Sequence, residues 1–201
     1  MTSFDDLTHD AFLGGKLRLL QPKNGYRAGV DPVFLAATVN AKEGEAVLDL
    51  GCGVGAAALC LGARIPSLKL TGVERQLEYA VLARKNGLET VCADLENLPD
   101  EIRQKQFHHV LANPPYYDRA ASVVARNTGR EGALGEDTPL SAWMKAAAKR
   151  LKPRGHVHVI HRAERLIDLL SALPKVLGSV QVLPLAPRVG RKAELVILRA
   201  K

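Results

Sequence analysis

The stretch that decides the fold is Val47-Leu48-Asp49-Leu50-Gly51-Cys52-Gly53-Val54-Gly55. It starts in a short apolar strand, Ala46–Leu50, turns through three alternating glycines and leads into an Ala- and Leu-rich helix over Ala56–Arg64. Glycine lets a backbone bend sharply and lets a ligand approach it closely. The stretch also satisfies the G-x-G-x-x-A pattern of nucleotide-binding turns, so by itself it predicts a ligand site without naming the ligand.

Downstream of this turn, strands and helices alternate. Further strands are predicted over Leu68–Val73, Thr90–Ala93, Phe107–Leu111 and His156–His161, and helices over Gln76–Asn86, Leu140–Leu151 and Ala163–Leu173. Two more segments, Val180–Leu185 and Glu194–Leu198, are expected to close the sheet as an antiparallel pair. This βαβ rhythm predicts an α/β fold with a mostly parallel, seven-stranded sheet and helices on both faces.

The first 45 residues precede this alternation, and we expect them to form a lid-like N-terminal segment. It contains an apolar strand at Leu17–Gln21, a turn at Lys23-Asn24-Gly25 and a helix that opens with Asp31-Pro32. Residues 46–201 form the main α/β unit, and no Pro-, Gly- or Ser-rich linker divides the chain. A length of 201 residues suits a single domain overall.

Three acidic residues lie at the carboxyl ends of three successive predicted strands: Asp49, Glu74 and Asp94. Ligands of open α/β sheets bind at the carboxyl ends of the strands. Asp49 would repel a pyrophosphate but can hold the ammonium of an amino-acid moiety, such as that of S-adenosylmethionine. Glu74 can accept from ribose hydroxyls, and Asp94 can accept from an adenine amino group. Each acid taken singly could be an ordinary polar strand end, but their common register favours a binding site.

The fourth strand is followed by Asn113-Pro114-Pro115-Tyr116. The Asn113 side chain and the Pro114 carbonyl offer two acceptors, which is what a planar NH2 group needs if both its hydrogens are to be held. Tyr116 offers a flat face for stacking a ring, and it would be a costly exposed aromatic unless it stacks on something. A proline pair can also be a mere turn. Its position after the three acids instead predicts a site for an amine on a planar group.

The charge of the chain is unevenly distributed. The net charge is +7, but residues 1–100 have a balance of −3 and residues 101–201 a balance of +10. A basic half indicates a polyanionic partner such as nucleic acid. A solvated basic surface explains the same charge, so the composition alone leaves both interpretations open.

Several classes of protein and site are disfavoured by the sequence. The sequence has no run of 18 or more apolar residues, so no transmembrane helix is predicted. The acidic, polar stretch Met1–Asp10 is unlike a signal peptide. The three cysteines are odd in number and lack CxxC spacing, which argues against disulfides and zinc. His156, His158 and His161 have no acidic or Cys partner nearby in sequence, so we expect no metal site. These features together predict a cytoplasmic protein.

From Val47 to Ile160 the chain resembles the class I S-adenosylmethionine-dependent methyltransferases, specifically those with an NPPY motif that methylate exocyclic or amide nitrogen. The flanks narrow the resemblance to bacterial enzymes that methylate N6 of an adenine beside the anticodon of valine tRNA. The flanking similarity lies in Phe12–Leu17, Gln21–Arg27, Asp31, Trp143, Leu151–Gly155, Ile160–Leu166 and Pro184–Arg188.

The resemblance implies a Rossmann-like class I methyltransferase fold, S-adenosylmethionine as cofactor and an RNA substrate, most simply a tRNA. Catalysis would fall to Asn113, Pro114, Pro115 and Tyr116. The cofactor would be bound by Tyr26, Arg27, Asp31, Asp49, Gly51, Gly53, Gly55, Glu74, Asp94, Leu95 and Asn113. RNA contacts would come from Arg119, Arg126, Arg130, Arg188, Arg191 and Lys192.

Two interpretations are open for Tyr26, Arg27 and Asp31 in the N-terminal segment: a lid over the cofactor, or an ordinary helix start. Related enzymes close the region of Tyr26, Arg27 and Asp31 over the methionine end of the cofactor, and the turn at Gly25 is a plausible hinge. Arg27 and Asp31 are also spaced to form an i,i+4 ion pair at the start of a helix.

Three other functions stay open at this point. Enzymes that methylate a glutamine amide in release factors use the same motif, although they usually have a helical N-terminal domain for which 45 residues leave little room. Guanine N2 methylation in rRNA is a further alternative, with Phe expected more often at position 116. A catalytically silent module that binds RNA or S-adenosylmethionine is the alternative from outside the enzymes.

Overall fold

The computed structural model describes residues 6–118, 135–136 and 138–201. Its strands are β1 (Leu7–Phe12), β2 (Leu17–Pro22), β3 (Ala46–Leu50), β4 (Lys69–Glu74), β5 (Glu89–Cys92), β6 (Phe107–Ala112), β7 (Tyr117–Asp118), β8 (Gly135–Glu136), β9 (Leu151–Arg162), β10 (Gln181–Leu185) and β11 (Leu195–Ala200). Its helices are α1 (Asp31–Thr38), α2 (Ala56–Arg64), α3 (Leu77–Lys85), α4 (Asp100–Arg103), α5 (Leu140–Arg150) and α6 (Leu166–Ser171).

Seven strands form the central sheet in the order β10-β11-β9-β6-β3-β4-β5. The five strands from β9 to β5 are parallel, β11 runs antiparallel to β9, and β10 pairs antiparallel with β11. The predicted fold class is therefore confirmed. The chain order moves outward from β3 to β5 and then returns to the other side of β3 with β6. The crevice between the carboxyl ends of β3 and β6 is thus the switch point at which such sheets bind ligands.

The central strands are mostly apolar because helices cover both faces of the sheet. Leu48 and Leu50 of β3 point into a core with Trp143 and Met144 of α5. The alternate residue Val47 points into a second core formed with α1, α2 and α3. Strand alternation therefore places Asp49 on the face of α2. Among the described residues, no helix has the length and apolar character required to cross a membrane.

The N-terminal segment is a hairpin docked on the main unit. β1 pairs antiparallel with β2, and Asn86 at the end of α3 binds β2 as a neighbouring strand would. The Asn86 Oδ1 atom accepts from the Leu20 amide at 2.7 Å, and its Nδ2 donates to the Leu20 carbonyl at 3.1 Å and to the Val54 carbonyl at 3.0 Å. The sequence predicted β2 but missed β1, because Thr8, His9 and Asp10 interrupt any apolar pattern.

Strand β9 is longer than predicted. It begins at Leu151, whereas the sequence predicted a strand only from His156, and its pairing with β6 is irregular between Phe107 and His109. A proline without an N–H is tolerated at such an irregularity. Gly155 is required there, since a Cβ would lie 2.9 Å from the Lys152 carbonyl oxygen. The helix predicted over Ala163–Leu173 is shorter, with a 3-10 turn at Ala163–Arg165 before α6.

Two buried histidines of β9 make the fold sensitive to acid. The His158 Nε2 lies 3.1 Å from Nδ1 of His109, and burial lowers the pKa of His158 to about 3, with the charges of His109, Arg199 and His156 acting in the same direction. Burial likewise lowers the pKa of His161 to about 4, aided by the nearby Arg165 and opposed by Asp168. Both imidazoles are therefore neutral in the folded protein at pH 7.

We expect His158→Gln to flatten the acid dependence of stability. The unfolded imidazole gains a proton near pH 6.5 while the folded one stays neutral, so wild-type stability falls as the pH drops from about 6.5 towards 3. Each such buried histidine makes the free energy of unfolding fall by about 1.4 kcal/mol for each pH unit between about pH 6 and 4. Urea denaturation of both proteins at pH 7, 6 and 5 measures this difference. The exposed His9 is the control, because His9→Gln should leave the slope unchanged, and equal slopes in wild type and His158→Gln would contradict the argument.

Candidate active site at the carboxyl edge of the sheet

One cavity lies at the carboxyl ends of β3, β4, β5 and β6, and it contains nearly all the predicted catalytic and cofactor-binding residues. Its wall contains twelve of them, Tyr26, Asp31, Asp49, Gly51, Gly53, Glu74, Asp94, Leu95, Asn113, Pro114, Pro115 and Tyr116. The N-terminal segment, the glycine turn, the strand ends and α5 all contribute. Elements far apart in sequence therefore meet at the switch point of the sheet.

Asp49 is a buried carboxylate at the bottom of this site. It is only 2% exposed, and its Oδ2 accepts from the Ala58 amide in the first turn of α2 at 3.2 Å. Burial raises the pKa of Asp49 to about 7; the hydrogen bond from Ala58 opposes this rise and the charge of Glu74 adds to it. A buried carboxylate is stabilised by a cationic partner. The environment of Asp49 therefore suits a ligand that presents an ammonium group.

The glycine turn is shaped by what packs against it. Gly51 has a φ of 64°, and a Cβ there would lie 2.4 Å from the Trp143 ring. Gly53 also has a positive φ, of 56°, and faces the ring of Tyr26. Gly55 is different, because it caps α2 and packs beneath Leu88 outside the cavity wall. Direct cofactor contact by Gly55 is therefore not supported by its position.

Glu74 joins the end of β4 to the glycine turn. Its Oε2 accepts from the Gly53 amide at 3.0 Å, and its Oε1 accepts from the Gln76 amide at 2.8 Å. Burial raises the pKa of Glu74, and these two hydrogen bonds oppose the rise. A carboxylate oxygen can accept more than one hydrogen bond, so Glu74 retains capacity for ligand hydroxyls while it fixes the turn. Asp94 is held in the wall by the Glu96 amide, which donates to its Oδ1 at 2.8 Å.

Two polar atoms of the cavity wall are buried without a partner among the described residues. They are Oδ1 of Asn113, just after β6, and Nε1 of Trp143 on α5. Buried polar atoms in folded proteins are nearly always paired, and exceptions occur at functional sites. An unpaired acceptor at the first position of Asn113-Pro114-Pro115-Tyr116 can bind a ligand donor.

Tyr116 is half-buried, and both its hydroxyl and its ring have partners. Its hydroxyl donates to Oδ2 of Asp31 at 2.5 Å, and its ring centroid lies 5.3 Å from that of His161. Burial, the hydrogen bond to Asp31 and the charge of that carboxylate all raise the pKa of Tyr116 above its ordinary value. The ring is thus neutral and held on two sides.

The N-terminal segment reaches the cavity through Tyr26 and Asp31 but not through Arg27. The Tyr26 amide donates to the Tyr79 hydroxyl at 2.8 Å, and that hydroxyl donates to the Tyr26 carbonyl at 3.2 Å. Arg27 instead binds Asp10 at 2.6 Å and lies outside the cavity wall. The predicted ion pair between Arg27 and Asp31 is wrong. Arg27 binds Asp10, and Asp31 accepts a hydrogen bond from Tyr116.

The predicted RNA-binding residues divide into two groups. Arg188, Arg191 and Lys192 are exposed in the connection between β10 and β11. This connection lies at the carboxyl edge of the sheet, since Leu185 pairs with Leu195 and Leu195 with Arg162 at the end of β9. Arg119, Arg126 and Arg130 fall outside the described residues.

The described part of the chain contains no group of three or more His, Cys, Asp or Glu side chains that could hold a metal ion. The paired imidazoles of His109 and His158 are bound to each other, and His109 also contacts Glu45 at 3.1 Å. His156 lies 2.7 Å from the Arg199 guanidinium. His109, His156 and His158 are not among the residues that line the cavity.

Sequence reasoning assigned no role to three residues that shape the cavity. Tyr79 anchors Tyr26, Trp143 covers Gly51, and His161 packs against Tyr116. Trp143 entered the sequence argument only as part of a family resemblance, and His161 only there and as a disfavoured metal ligand. The sequence does not single out Tyr79 or Trp143 as a site residue, because an aromatic residue in a helix is equally typical of a hydrophobic core.

The residues of the cavity fit S-adenosylmethionine. A buried carboxylate at Asp49 suits the ammonium of the methionine part, and the acceptors of Glu74 and Asp94 suit a ribose and an adenine. Gly51 is required for the shape of the wall, because a Cβ there would collide with Trp143, whereas Gly53 has only the Tyr26 ring in front of it, 3.8 Å from a Cβ.

Curated relatives carry the name that the sequence resemblance suggested. A Trichodesmium erythraeum protein named tRNA1(Val) (adenine(37)-N6)-methyltransferase is 28% identical over 156 residues, which is 72% of this chain and 64% of the relative. A Yersinia enterocolitica protein of the same name is 32% identical over 130 residues, which is 59% of this chain and 52% of the relative. The chain thus spans less than two thirds of the length of these relatives, and the resemblance is confirmed.

Solved structures show the same fold. A predicted O-methyltransferase from Agrobacterium tumefaciens has a TM-score of 0.68 at 24% identity, covering 85% of this chain and 79% of that chain. A 16S rRNA guanine N2-methyltransferase from Thermus thermophilus, solved with AdoMet and guanosine, has a TM-score of 0.66 at 21% identity. It covers 98% of this chain and 50% of that chain.

A family model agrees with this assignment over most of the sequence. The model is described as methyltransferase small domain, and it matches residues 28–187, which contain the cavity from Asp31 to Trp143. This family assignment identifies S-adenosylmethionine as the cofactor. The chain belongs to the methyltransferase small domain family.

Proposed function

We propose that this chain methylates N6 of an adenine in RNA, with the anticodon loop of valine tRNA as the target. The observation that carries the proposal is the buried Oδ1 of Asn113 in the cavity wall, which has no hydrogen-bond partner among the residues that the structure describes. An exocyclic amine of a base can donate a hydrogen bond to this oxygen. The names of the curated relatives support adenine N6 in tRNA as the particular amine.

The chemistry of the bound cofactor is simple, since its sulfonium supplies an electrophilic methyl group. The protein has to bring a weak nucleophile into line, because the N6 lone pair is delocalised into the purine ring. Asn113 Oδ1 and the Pro114 carbonyl accept the two N6 hydrogens and turn the lone pair towards the methyl group. Correct orientation of two reactants accounts for much of the barrier lowering in such reactions.

Tyr116 and Pro115 complete the base side of the site in this proposal. The Tyr116 ring stacks on an adenine turned out of its loop, as enzymes that act on a base require. Pro115 keeps the turn rigid. No strong general base is needed, because the methylated ammonium loses its proton readily to solvent.

The cofactor side is assigned to the other residues of the cavity wall. We place the ammonium at Asp49, the ribose at Glu74 and the adenine at Asp94 and Leu95, with Gly51 and Gly53 giving room along the turn. Tyr26 covers the methionine end, and the Tyr79 hydroxyl holds it in place through the Tyr26 backbone.

RNA docking is assigned to the exposed β10–β11 connection. We expect Arg188→Ala with Arg191→Ala to weaken RNA binding, because each cation that neutralises a phosphate releases counterions. The plot of log K against log salt should become shallower by about 1.4, since each phosphate of single-stranded RNA that is no longer neutralised reduces the slope by about 0.7. Fluorescence anisotropy with labelled tRNA at several salt concentrations measures this slope.

The matched control removes two cations from the opposite edge of the sheet, where Lys42 precedes β3 and Lys69 begins β4. Both are exposed, so Lys42→Ala with Lys69→Ala changes the net charge equally. The docking assignment predicts an unchanged slope for this control. Equal slopes for the two double variants would show that net charge alone drives binding.

The acceptor class is tested with labelled S-adenosylmethionine and three acceptors: bulk tRNA, rRNA and a release factor. The proposal predicts label in tRNA. Label in rRNA or in release-factor glutamine would identify one of the alternative methyltransferase activities. Cofactor binding without label in any acceptor would point to a silent binding module.

A further inference from the structure

An unexpected contact links the N-terminal segment to the NPPY turn. The Tyr116 hydroxyl donates to Oδ2 of Asp31 at 2.5 Å, although the two residues are 85 positions apart. Asp31 is the first residue of α1 and is followed by Pro32, so its backbone is fixed at the start of a helix. The contact therefore joins the base side of the site to an element that sequence analysis assigned to the cofactor.

The ring of Tyr116 also contacts β9, through His161. The His161 ring lies with its centroid 5.3 Å from that of Tyr116 at an interplanar angle of 59°. His161 is fully buried, and its Nδ1 accepts from the Arg162 amide at 2.9 Å. The Pro115 carbonyl lies near the imidazole and favours its protonated form, but it makes no hydrogen bond that satisfies Nε2. The imidazole is thus fixed and uncharged at neutral pH, and it supports the tyrosine ring as an aromatic surface.

These two contacts define what Tyr116 can do. Its hydroxyl is committed to Asp31, so the part of the side chain left for a ligand is the ring face that looks into the cavity. Stacking on an aromatic ring stabilises a base by about 1–3 kcal/mol, and that gain requires the ring to be in place before the base arrives.

We infer that Asp31 and His161 are positioning residues that hold the Tyr116 ring in its base-stacking orientation, and that Asp31 serves the base rather than the cofactor. The inference deepens the proposed function and rests on it. It changes the role of the N-terminal segment, which becomes part of the substrate-binding wall through Asp31 while Tyr26 remains on the cofactor side.

The inference is tested by steady-state kinetics on Asp31→Ala, Asp31→Asn, Tyr116→Phe and the double variant Asp31→Ala with Tyr116→Phe. Loss of one hydrogen bond predicts a fall of about tenfold in kcat/KM for RNA in Asp31→Ala. Asp31→Asn keeps an acceptor oxygen and should recover most of that loss. Because both single changes break the same hydrogen bond, the double variant should be no worse than the poorer single variant.

Calorimetry of S-adenosylmethionine binding separates the two roles of Asp31. The positioning role predicts an affinity within about twofold of wild type in Asp31→Ala. A tenfold loss of cofactor affinity with kcat preserved would make Asp31 a cofactor ligand and overturn the inference. Independent, multiplying effects of Asp31→Ala and Tyr116→Phe, or an Asp31→Asn variant as poor as Asp31→Ala, would overturn it too.

A readout without any acceptor keeps this test separate from the proposed function. In protein labelled with 13Cζ-tyrosine, the resonance missing from Tyr116→Phe identifies Tyr116. Since the Tyr116 hydroxyl donates to the Asp31 carboxylate, Asp31→Ala should shift this resonance at neutral pH, and Asp31→Asn, which keeps an acceptor oxygen, should shift it less. The inference is contradicted if the Tyr116 resonance is the same in wild type and Asp31→Ala. If this shift occurs but RNA is not methylated, the proposed function fails while the Tyr116–Asp31 hydrogen bond stands.

Discussion

Asn113→Ala is expected to abolish most of the turnover while leaving cofactor binding nearly intact. The Asn113 side chain supplies one of two acceptors for the target amine, and its hydrogen bond strengthens as the amine becomes a nucleophile. Removal of one preorganised polar group of this kind costs about 10²- to 10³-fold in kcat. Single-turnover methylation of tRNA gives the rate, and calorimetry gives the S-adenosylmethionine affinity.

Asn113→Asp is the matched control, because it keeps an acceptor oxygen in nearly the same volume. The account predicts a rate between those of wild type and Asn113→Ala. If Asn113→Ala raised KM for RNA with kcat unchanged, the side chain would bind ground state and transition state equally. If it methylated tRNA at the wild-type rate, Asn113 would have no part in the chemistry.

Glu74→Ala is expected to weaken S-adenosylmethionine binding by about ten- to hundredfold, because charge-assisted hydrogen bonds of about 1.5–3 kcal/mol are removed. Two effects combine in this variant. The carboxylate no longer meets the ligand, and the Gly53 and Gln76 amides lose the acceptor that fixes the glycine turn. Isothermal titration calorimetry at pH 7 measures the affinity.

Glu74→Gln separates the two effects. The amide oxygen preserves one acceptor for the backbone of the turn but carries no charge, so its affinity should lie between those of wild type and Glu74→Ala. Thermal melting of each variant shows whether the fold is intact. Wild-type cofactor affinity in a folded Glu74→Ala protein would remove Glu74 from the cofactor site.

The fold and the position of the site follow closely from the sequence, because both depend on local patterns. Strand β3 and helix α2 have the predicted bounds, since an apolar strand, a glycine turn and an Ala- and Leu-rich helix are each encoded by adjacent residues. Asp49, Glu74 and Asn113 reach one cavity because parallel strands share a carboxyl edge.

The partners of the site residues could not be predicted in the same way. The contact of Tyr116 with Asp31 and that of Arg27 with Asp10 depend on how the N-terminal hairpin docks, and no periodicity encodes that arrangement. Strand β1 was missed for a related reason, since its polar residues are stabilised by pairing with β2 rather than by an apolar face. The irregular start of β9 likewise depends on tertiary packing around Gly155.

Methylation of adenine N6 is most directly tested by identifying the nucleosides of tRNA that has been methylated in vitro. Transfer RNA is incubated with the protein and S-adenosylmethionine carrying a deuterated methyl group, then digested and analysed by mass spectrometry. The account predicts deuterated N6-methyladenosine with the wild-type protein and almost none with Asn113→Ala. Deuterium in N2-methylguanosine, or none in any nucleoside while a release-factor glutamine is labelled, would contradict it.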